Sequence, residues 1–228
     1  LLDVPVAAEA LQRLRDHERG ALADPELRQR QRDAAQRPLV LVVRGVDGRG
    51  QSHRDRCGGL GLDVQVGDGA TYRESHTYEP GTEAVLAATP WGPLGMTICY
   101  DIRFPALYRT LAQAGAGMIT APAAFTQVTG QAHWHVLQRA RAIENGAFII
   151  SAAQTGTHAE GRQTYGHSVI VAPWGEVLAD AGEAPGVITA EIDLADVAKA
   201  RGKVPSLSHD RVFAAPRAAE AAPVAAGE

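Results

Sequence analysis

Short apolar runs alternate with helical segments from about Gly61 to Gly202, which restricts the chain to a layered α/β fold with a mixed sheet. Apolar, β-branched runs bounded by turn residues predict the strands, and apolar residues at helical spacing predict the helices. The predicted strands are Ala84–Ala88, Gly95–Ile98, Met118–Ala121, Phe148–Ala153, Ser168–Val171, Val177–Ala181 and Val187–Ile192. The predicted helices are Pro105–Gln113, Gly130–Asn145 and Leu194–Arg201.

The chain upstream of Gly61 has a different character. Residues 11–37 are crowded with Arg, Gln, Asp and Glu, which is typical of a solvated helix or a disordered arm. Leu39–Val43 has the β-branched content of a buried strand, and the stretch that follows it shows no clear periodicity. We therefore predict a divergent, partly disordered segment 1–61, a domain 62–213 and a mobile tail 214–228.

Composition limits the classes of partner. A net charge of −4 and an isoelectric point near 6.1 give no reason to expect nucleic acid or an anionic membrane as partner. The sequence contains no run of about 18–20 apolar residues that would span a bilayer, and no signal peptide is expected. Cys57 and Cys99 could in principle pair, but nothing else in the sequence suggests a disulfide framework, so we expect a reducing, cytoplasmic compartment.

Cys99 follows an apolar strand and directly precedes a helix in GMTICYDIRFPALYR. A side chain on such a turn is lifted out of the sheet, and the backbone N–H groups that follow it can stabilise a thiolate and an oxyanion. This is the geometry that a cysteine nucleophile requires. The alternative is that Cys99 is a small buried core residue, as most cysteines outside disulfides are.

The motif CYDIRFP resembles the nucleophile motif of the nitrilase superfamily of carbon–nitrogen hydrolases, in the branch of deaminated-glutathione amidases and omega-amidase-like enzymes. The resemblance extends over residues 62–213 through TYRESHTYEPG, HWHVLQRARAIENGAFIISAAQTGTH, TYGHSVIVAPWGEVLAD and APGVITAEIDL. It implies an α/β fold of the four-layer αββα sandwich type, here with an incomplete N-terminal portion. It also implies a homodimer that hydrolyses a small-molecule amide without a cofactor.

The resemblance assigns roles to residues of this chain. Cys99 matches the nucleophile, whose thiolate attacks the amide carbon, releases ammonia and forms a thioester that water hydrolyses. The N–H of Tyr100 would then help to hold the oxyanion. Glu74 in YRES matches a second glutamate of the family, so a role in orienting substrate or relaying a proton is expected; otherwise Glu74 is a surface carboxylate.

Two further residues of the family pattern have no counterpart. The family lysine belongs to a strand just before LDVQVGDG, where this chain has HRDRCGGLG, and its only lysines are Lys199 and Lys203. The base glutamate belongs to a Phe-Pro-Glu context that none of Glu9, Glu18 and Glu26 provides. Substitution of the lysine by Arg54 or Arg56 would change the geometry of the charge. The alternative function is therefore a catalytically impaired or inactive remnant of the fold.

Other polar residues admit two interpretations. Arg103 either anchors the nucleophile turn through Asp101 or faces an acidic substrate. Phe125 and Thr126 follow a strand end, where α/β proteins bind ligands, and are candidates for substrate contact. Glu144 is expected to form a buried structural pair with Arg139 or Arg141.

The histidines around Trp134 do not predict a metal site. His133 and His135 are two residues apart and point to different faces of a helix, and no cysteine or carboxylate is expected to complete a ligand set. We therefore predict no metal. On the same helix, Trp134, Leu137 and Ile143 are expected to face the sheet, and His135 and Gln138 to be more exposed.

The abrupt change near Gly61 suggests that the upstream segment is read out of frame relative to the family, or is a rearranged remnant. One alternative reading frame of the coding DNA upstream of Leu62 should then encode a lysine-bearing strand and an apolar strand ending in Pro-Glu. Sequencing that DNA tests the hypothesis. If neither alternative frame contains these elements, the chain is a divergent relative with its own base.

Overall fold

A computed structural model describes residues 39–44, 63–65, 71–73, 81–158 and 161–215, with side chains for the last two ranges. Glu74 lies outside the described residues, as do Cys57, Arg54 and Arg56. In the part of the chain that is described, no helix has both the length and the apolar character needed to cross a membrane.

Six strands form the central sheet in the order β11-β10-β7-β6-β5-β4. Strands β5, β6 and β7 are mutually parallel, whereas the outer pairs β4–β5, β7–β10 and β10–β11 are antiparallel. The predicted mixed sheet is therefore confirmed. The strands are β4 Val85–Thr89, β5 Gly92–Met96, β6 Met118–Thr120, β7 Phe148–Ser151, β10 Val169–Val171 and β11 Val177–Asp180.

Six further strands lie outside this sheet in three antiparallel pairs: β1 Leu39–Arg44 with β12 Val187–Ile192, β2 Asp63–Gln65 with β3 Thr71–Arg73, and β8 Thr155–Thr157 with β9 Gln163–Tyr165. The strand predicted at Leu39–Val43 is confirmed as β1, and all six residues of Leu39–Arg44 pair with β12. The α-helices in the described part of the chain are α1 Pro105–Gln113, α2 Gln127–Asn145 and α3 Ala195–Lys203. The predicted boundaries of α1 and β12 match the observed ones.

The two faces of the central sheet are covered differently. On one face, Ile119 and Ile149 pack with Tyr108 of α1 and Trp134 of α2 in the larger apolar core. On the other face, Phe148 packs with buried residues of β12 and α3 and with Met118. Because side chains alternate along a strand, adjacent residues of β7 enter opposite cores. The central sheet is thus covered by α1 and α2 on one face and by β12 and α3 on the other.

Capping by Thr126 makes α2 longer than predicted. The Thr126 backbone is extended, and its hydroxyl accepts a hydrogen bond from the N–H of Thr129 at 3.3 Å. This side chain satisfies a donor that the first turn of a helix leaves unpaired, so the helix begins at Gln127. It ends as predicted, because Gly146 is in the left-handed region at φ 52°.

The predicted face of α2 is wrong at two positions. Trp134 is buried as expected, but Gln138 is fully buried and Ile143 is 53% exposed. Gln138 is tolerated in the core because its Oε1 accepts a hydrogen bond from the Ser151 hydroxyl at 2.8 Å. Ile143 instead lies against the turn at Gly175. A Cβ added to Gly175 would lie 2.7 Å from Cδ1 of Ile143.

Gly130 allows α2 to approach β9 closely. A Cβ at this position would lie 2.2 Å from the Cβ of Tyr165, whereas one at Gly202 in α3 would meet no atom within 4 Å. Alanine normally stabilises a helix by up to about 1 kcal/mol relative to glycine. At Gly130 the overlap outweighs this gain, because forced overpacking costs about 1–3 kcal/mol.

We therefore expect Gly130→Ala to lower the free energy of unfolding by about 1–3 kcal/mol. The matched change Gly202→Ala should raise it by about 0.5–1 kcal/mol, because the methyl group has room there. Denaturant titration followed by circular dichroism measures both values. Equal effects of the two substitutions would contradict the close approach of α2 and β9.

Candidate active site

Hydrogen bonds to the segment after β6 position Cys99. Beyond the end of β5, the N–H of Thr97 donates to the carbonyl of Thr120 at 3.0 Å, and the N–H of Cys99 donates to the carbonyl of Pro122 at 2.8 Å. Cys99 has a φ of 47°, in the left-handed region that non-glycine residues rarely adopt. A half-buried cysteine in such a conformation at a strand end is typical of a functional turn.

Asp101 holds the turn that follows. Residues Cys99–Arg103 form a short 3₁₀ helix, and Asp101 Oδ2 accepts a hydrogen bond from the N–H of Ile98 at 2.9 Å. In the other direction, the N–H of Asp101 donates a hydrogen bond to the carbonyl of Ile98 at 3.0 Å. Two reciprocal bonds across one residue pair therefore hold the backbone of the turn on either side of Cys99. Asp101 is 2% exposed, so these bonds are shielded from water.

Arg141 supports the same turn from α2. Its Nε donates to the carbonyl of Ile102 at 2.8 Å, and its Nη1 forms an ion pair with Glu144 at 2.8 Å. The predicted pairing of Glu144 with an arginine is confirmed. The pair is only partly buried, however, because the Glu144 side chain is 50% exposed and that of Arg141 only 6%.

The N–H of Tyr100 lies at the start of the 3₁₀ helix. The first N–H groups of a helix have no acceptor within it. The N–H of Cys99 donates to the carbonyl of Pro122, and the N–H of Asp101 donates to the carbonyl of Ile98. The position of Tyr100 is thus compatible with an oxyanion donor, and that role stays a prediction.

Arg103 lies among aromatic rings beside the turn. Its guanidinium carbon is 5.4 Å from the centre of the Tyr100 ring and 5.2 Å from that of Phe125. Both terminal nitrogens lie 3.4 Å from Nδ1 of His133. These contacts hold a positive charge at the protein surface next to the nucleophile turn. The structure thus brings together Cys99, Tyr100, Arg103 and Phe125, four of the six predicted site residues.

Thr126 and Glu74 are the other two predicted site residues. The Thr126 hydroxyl caps α2 and lies 2.9 Å from the Thr129 hydroxyl, so its polar atom already has a structural use. Substrate contact by Thr126 stays a prediction. Glu74 is outside the described residues.

Neither lysine belongs to this site. Both lie on α3, which packs on the face of the sheet opposite to α1 and α2. Lys199 donates to Asp196 at 2.7 Å, and Lys203 lies 5.1 Å from the centre of the Trp174 ring. The absence of a lysine upstream of Cys99 is therefore not compensated by either of them.

A second polar cluster contains His135, His167 and Asp180. His135 Nε2 lies 2.7 Å from Asp180 Oδ2, and His167 Nδ1 lies 2.9 Å from Asp180 Oδ1. Burial disfavours the Asp180 carboxylate, but hydrogen bonds from the Gly182 N–H and the two histidines outweigh it and lower the pKa of Asp180. The expectation that no carboxylate joins these histidines is wrong for His135, because Asp180 is distant in sequence.

Comparison with known proteins identifies the family. The sequence model of the carbon–nitrogen hydrolase family matches residues 63–202. The chain belongs to this family. It is 52% identical over 154 residues to the deaminated glutathione amidase of Synechocystis, an alignment that covers 67% of this chain and 56% of that protein.

Two solved structures of the superfamily resemble the fold. Saccharomyces cerevisiae Nit3, from branch 10 of the nitrilase superfamily, has a TM-score of 0.58 and 37% identity over 63% of this chain and 55% of that one. The C. elegans NitFhit protein has a TM-score of 0.64 and 36% identity over 84% of this chain and 51% of that one. The expected nitrilase-type α/β fold is confirmed. The chain spans about half the length of the relatives it matches.

The geometry of the turn predicts selective thiol chemistry. We expect iodoacetamide to alkylate Cys99 faster than an unperturbed thiol in the folded protein, because the start of the 3₁₀ helix stabilises its thiolate. Peptide mass spectrometry after timed quenching measures the labelling of Cys99 and Cys57. In urea the two rates should converge. Ready labelling of Cys57 with Cys99 untouched would show that Cys99 is an inert core residue.

Proposed function

We propose that this chain hydrolyses the C–N bond of a small amide through a thioester on Cys99. The observation that carries the proposal is the left-handed backbone of Cys99 at a strand end, within the nucleophile motif of its family. Strain of this kind costs on the order of 1–3 kcal/mol and persists only where surrounding contacts impose it. Here the bonds from Cys99 to Pro122 and from Ile98 to Asp101 supply those contacts.

The proposed reaction has two balanced steps. A base takes the proton of the Cys99 thiol, the thiolate attacks the amide carbon, and the base returns the proton to the nitrogen as the C–N bond breaks and ammonia departs. Water then attacks the thioester, which releases a carboxylic acid and restores the thiol. The Tyr100 N–H stabilises the oxyanion in both steps. Glu74, which matches the second glutamate of the family, is the proposed proton carrier.

The contacts of Arg103 favour a substrate that bears a carboxylate. A guanidinium held between two rings is oriented in advance, and it binds a carboxylate through two parallel hydrogen bonds. Relatives carry the name deaminated glutathione amidase, and deaminated glutathione is an acidic amide. We therefore propose a small acidic amide as substrate, with Arg103 and Phe125 forming the wall next to Cys99. Thr126 shapes this wall through the cap of α2.

A second candidate is a fold that has lost most of its activity. It is favoured by the position of both lysines on α3, away from the turn. Each lost oxyanion donor costs about 2.7–4 kcal/mol in comparable enzymes, equivalent to a rate loss of about 10²–10³. The homodimer and the cytoplasmic location that the sequence suggests stay predictions.

Formation of the acyl-enzyme separates the two candidates. We expect intact-mass spectrometry to detect an acyl adduct after incubation with small acidic amides, located on Cys99 by peptide mapping. Cys99→Ala should abolish the adduct, and Glu74→Gln should slow its formation by at least about 100-fold, the low end for a general base. If Cys99 alkylates with iodoacetamide but no amide acylates it, the inactive candidate is correct.

The role of Arg103 predicts a selective change in substrate binding. Arg103→Gln should raise KM for a carboxylate-bearing amide at least about tenfold, because a hydrogen bond to a charged group contributes about 1.5–3 kcal/mol. KM for a neutral amide of similar size should change little. Steady-state kinetics on both substrates, with Arg109→Gln as the control on the neighbouring helix, measures this difference. Equal effects on the two substrates would assign Arg103 to the structure of the turn.

A further inference from the structure

The cluster of His135, His167 and Asp180 contains none of the proposed catalytic residues. The three side chains come from α2, from the loop before β10 and from the end of β11. One ligand atom from each residue lies within 4.8 Å of the others, and two of the separations are 2.7 and 2.9 Å. A metal ion with bonds of 2.0–2.1 Å in tetrahedral geometry holds its ligand atoms about 3.3 Å apart. Small side-chain shifts would therefore bring the three atoms onto one ion.

The protein holds the ligand side chains in place. The N–H of Gly182 donates to Asp180 Oδ1 at 2.8 Å, and the N–H of His167 donates to the carbonyl of Gly182 at 2.7 Å. Trp134 Nε1 donates to the carbonyl of His167 at 2.8 Å. Such outer contacts orient metal ligands and contribute to affinity.

The backbone and ring of His167 are also constrained. His167 has a left-handed φ of 57°, and its ring stacks on that of Tyr165 with the centres 4.4 Å apart. The His135 ring meets the His167 ring edge-on at 5.0 Å. Backbone strain in a non-glycine residue persists where surrounding contacts impose it, and it occurs often at ligand-binding positions. The orientation of the two imidazoles is therefore fixed before any ligand arrives.

The cluster is open to solvent on one side. The side chains of His135, His167 and Asp180 are 32%, 20% and 30% exposed. An ion can enter, and water can complete its coordination. Two imidazoles and one carboxylate suit divalent transition metals such as Zn²⁺, Co²⁺ and Ni²⁺ better than Mg²⁺ or Ca²⁺, which prefer oxygen ligands.

We propose that His135 Nε2, His167 Nδ1 and an Asp180 carboxylate oxygen bind one divalent transition-metal ion, with Zn²⁺ as the best-fitting candidate. Binding requires both ligating nitrogens to be free of protons, so the ion replaces the hydrogen bonds that now join the histidines to Asp180. The bound ion links α2 to the β10–β11 hairpin. It also stiffens β9, because Tyr165 stacks on His167 and donates its N–H to the carbonyl of Phe125 at 3.0 Å. The site is thus structural and does not depend on the proposed amide chemistry.

Zn²⁺ and Co²⁺ are the probes that test the site. Equilibrium dialysis of the full chain against Zn²⁺ should give one ion per chain that is lost on substitution of a ligand. His135→Gln suits the helix, and His167→Asn suits the left-handed backbone, so both variants retain the fold. Each should weaken binding more than about 100-fold, beyond the 10–100-fold effect of changing an outer contact. His209→Gln, at an exposed histidine away from the cluster, is the matched control and should bind as the parent does.

Co²⁺ distinguishes this site from the cysteines. The parent protein should show visible bands of a nitrogen–oxygen site without thiolate charge-transfer absorption. Zn²⁺ at about 100 times its Kd should raise Tm by several degrees in the parent and in His209→Gln, but not in His135→Gln. Equal Zn²⁺ binding by the parent and both ligand variants, or a thiolate spectrum, would overturn the proposal. So would the absence of any bound Zn²⁺, which would leave the cluster as a hydrogen-bonded pairing of Asp180 with two histidines.

Discussion

The parallel pairing of β5, β6 and β7 determines where Cys99 and the residues around it lie. The pairing continues past the strand ends, through the bonds from Thr97 to Thr120 and from Cys99 to Pro122. Parallel strands end at the same edge of a sheet, so this edge carries both the nucleophile turn and the segment leading to Phe125. The backbone bond from Cys99 to Pro122 is thus one of the contacts that impose the strain at Cys99. Arg141 and Asp101 then fix the turn with side chains that are almost completely shielded from water.

The sequence predicts correctly those elements whose limits are set by residues close to them in the chain. Helix α1 begins at Pro105 and ends before a glycine-containing turn, so both limits are encoded nearby. Cys99 could be placed because the strand, the turn and the helix follow one another directly. The face of α2 could not be predicted, since Gln138 is acceptable in the core only through the Ser151 hydroxyl on β7. Ile143 does not face the sheet, because it packs against the turn at Gly175. The spacing of apolar residues along the helix does not indicate that contact.

Contacts distant in sequence account for the other site residues that sequence analysis missed. Asp180 is 45 residues from His135, and the two meet only because β11 folds back beside α2. Arg141 reaches the carbonyl of Ile102 across 39 residues. The charge of Arg103 was foreseen, but its placement between Tyr100 and Phe125 required the loop after β6 to fold over the turn. A single sequence contains such residues without indicating that they meet.

The pairing of β1 with β12 has a further consequence. Strand β12 belongs to the family region, whereas Leu39–Arg44 comes from the part of the chain that lacks family motifs. A β ladder is formed by backbone groups, so an apolar, β-branched run can complete it whatever its origin. Without β1, the backbone donors and acceptors that β12 directs toward it would be open to another molecule, and such edges promote aggregation. Leu39–Arg44 therefore closes this edge of β12 although it lies outside the residues that match the family model.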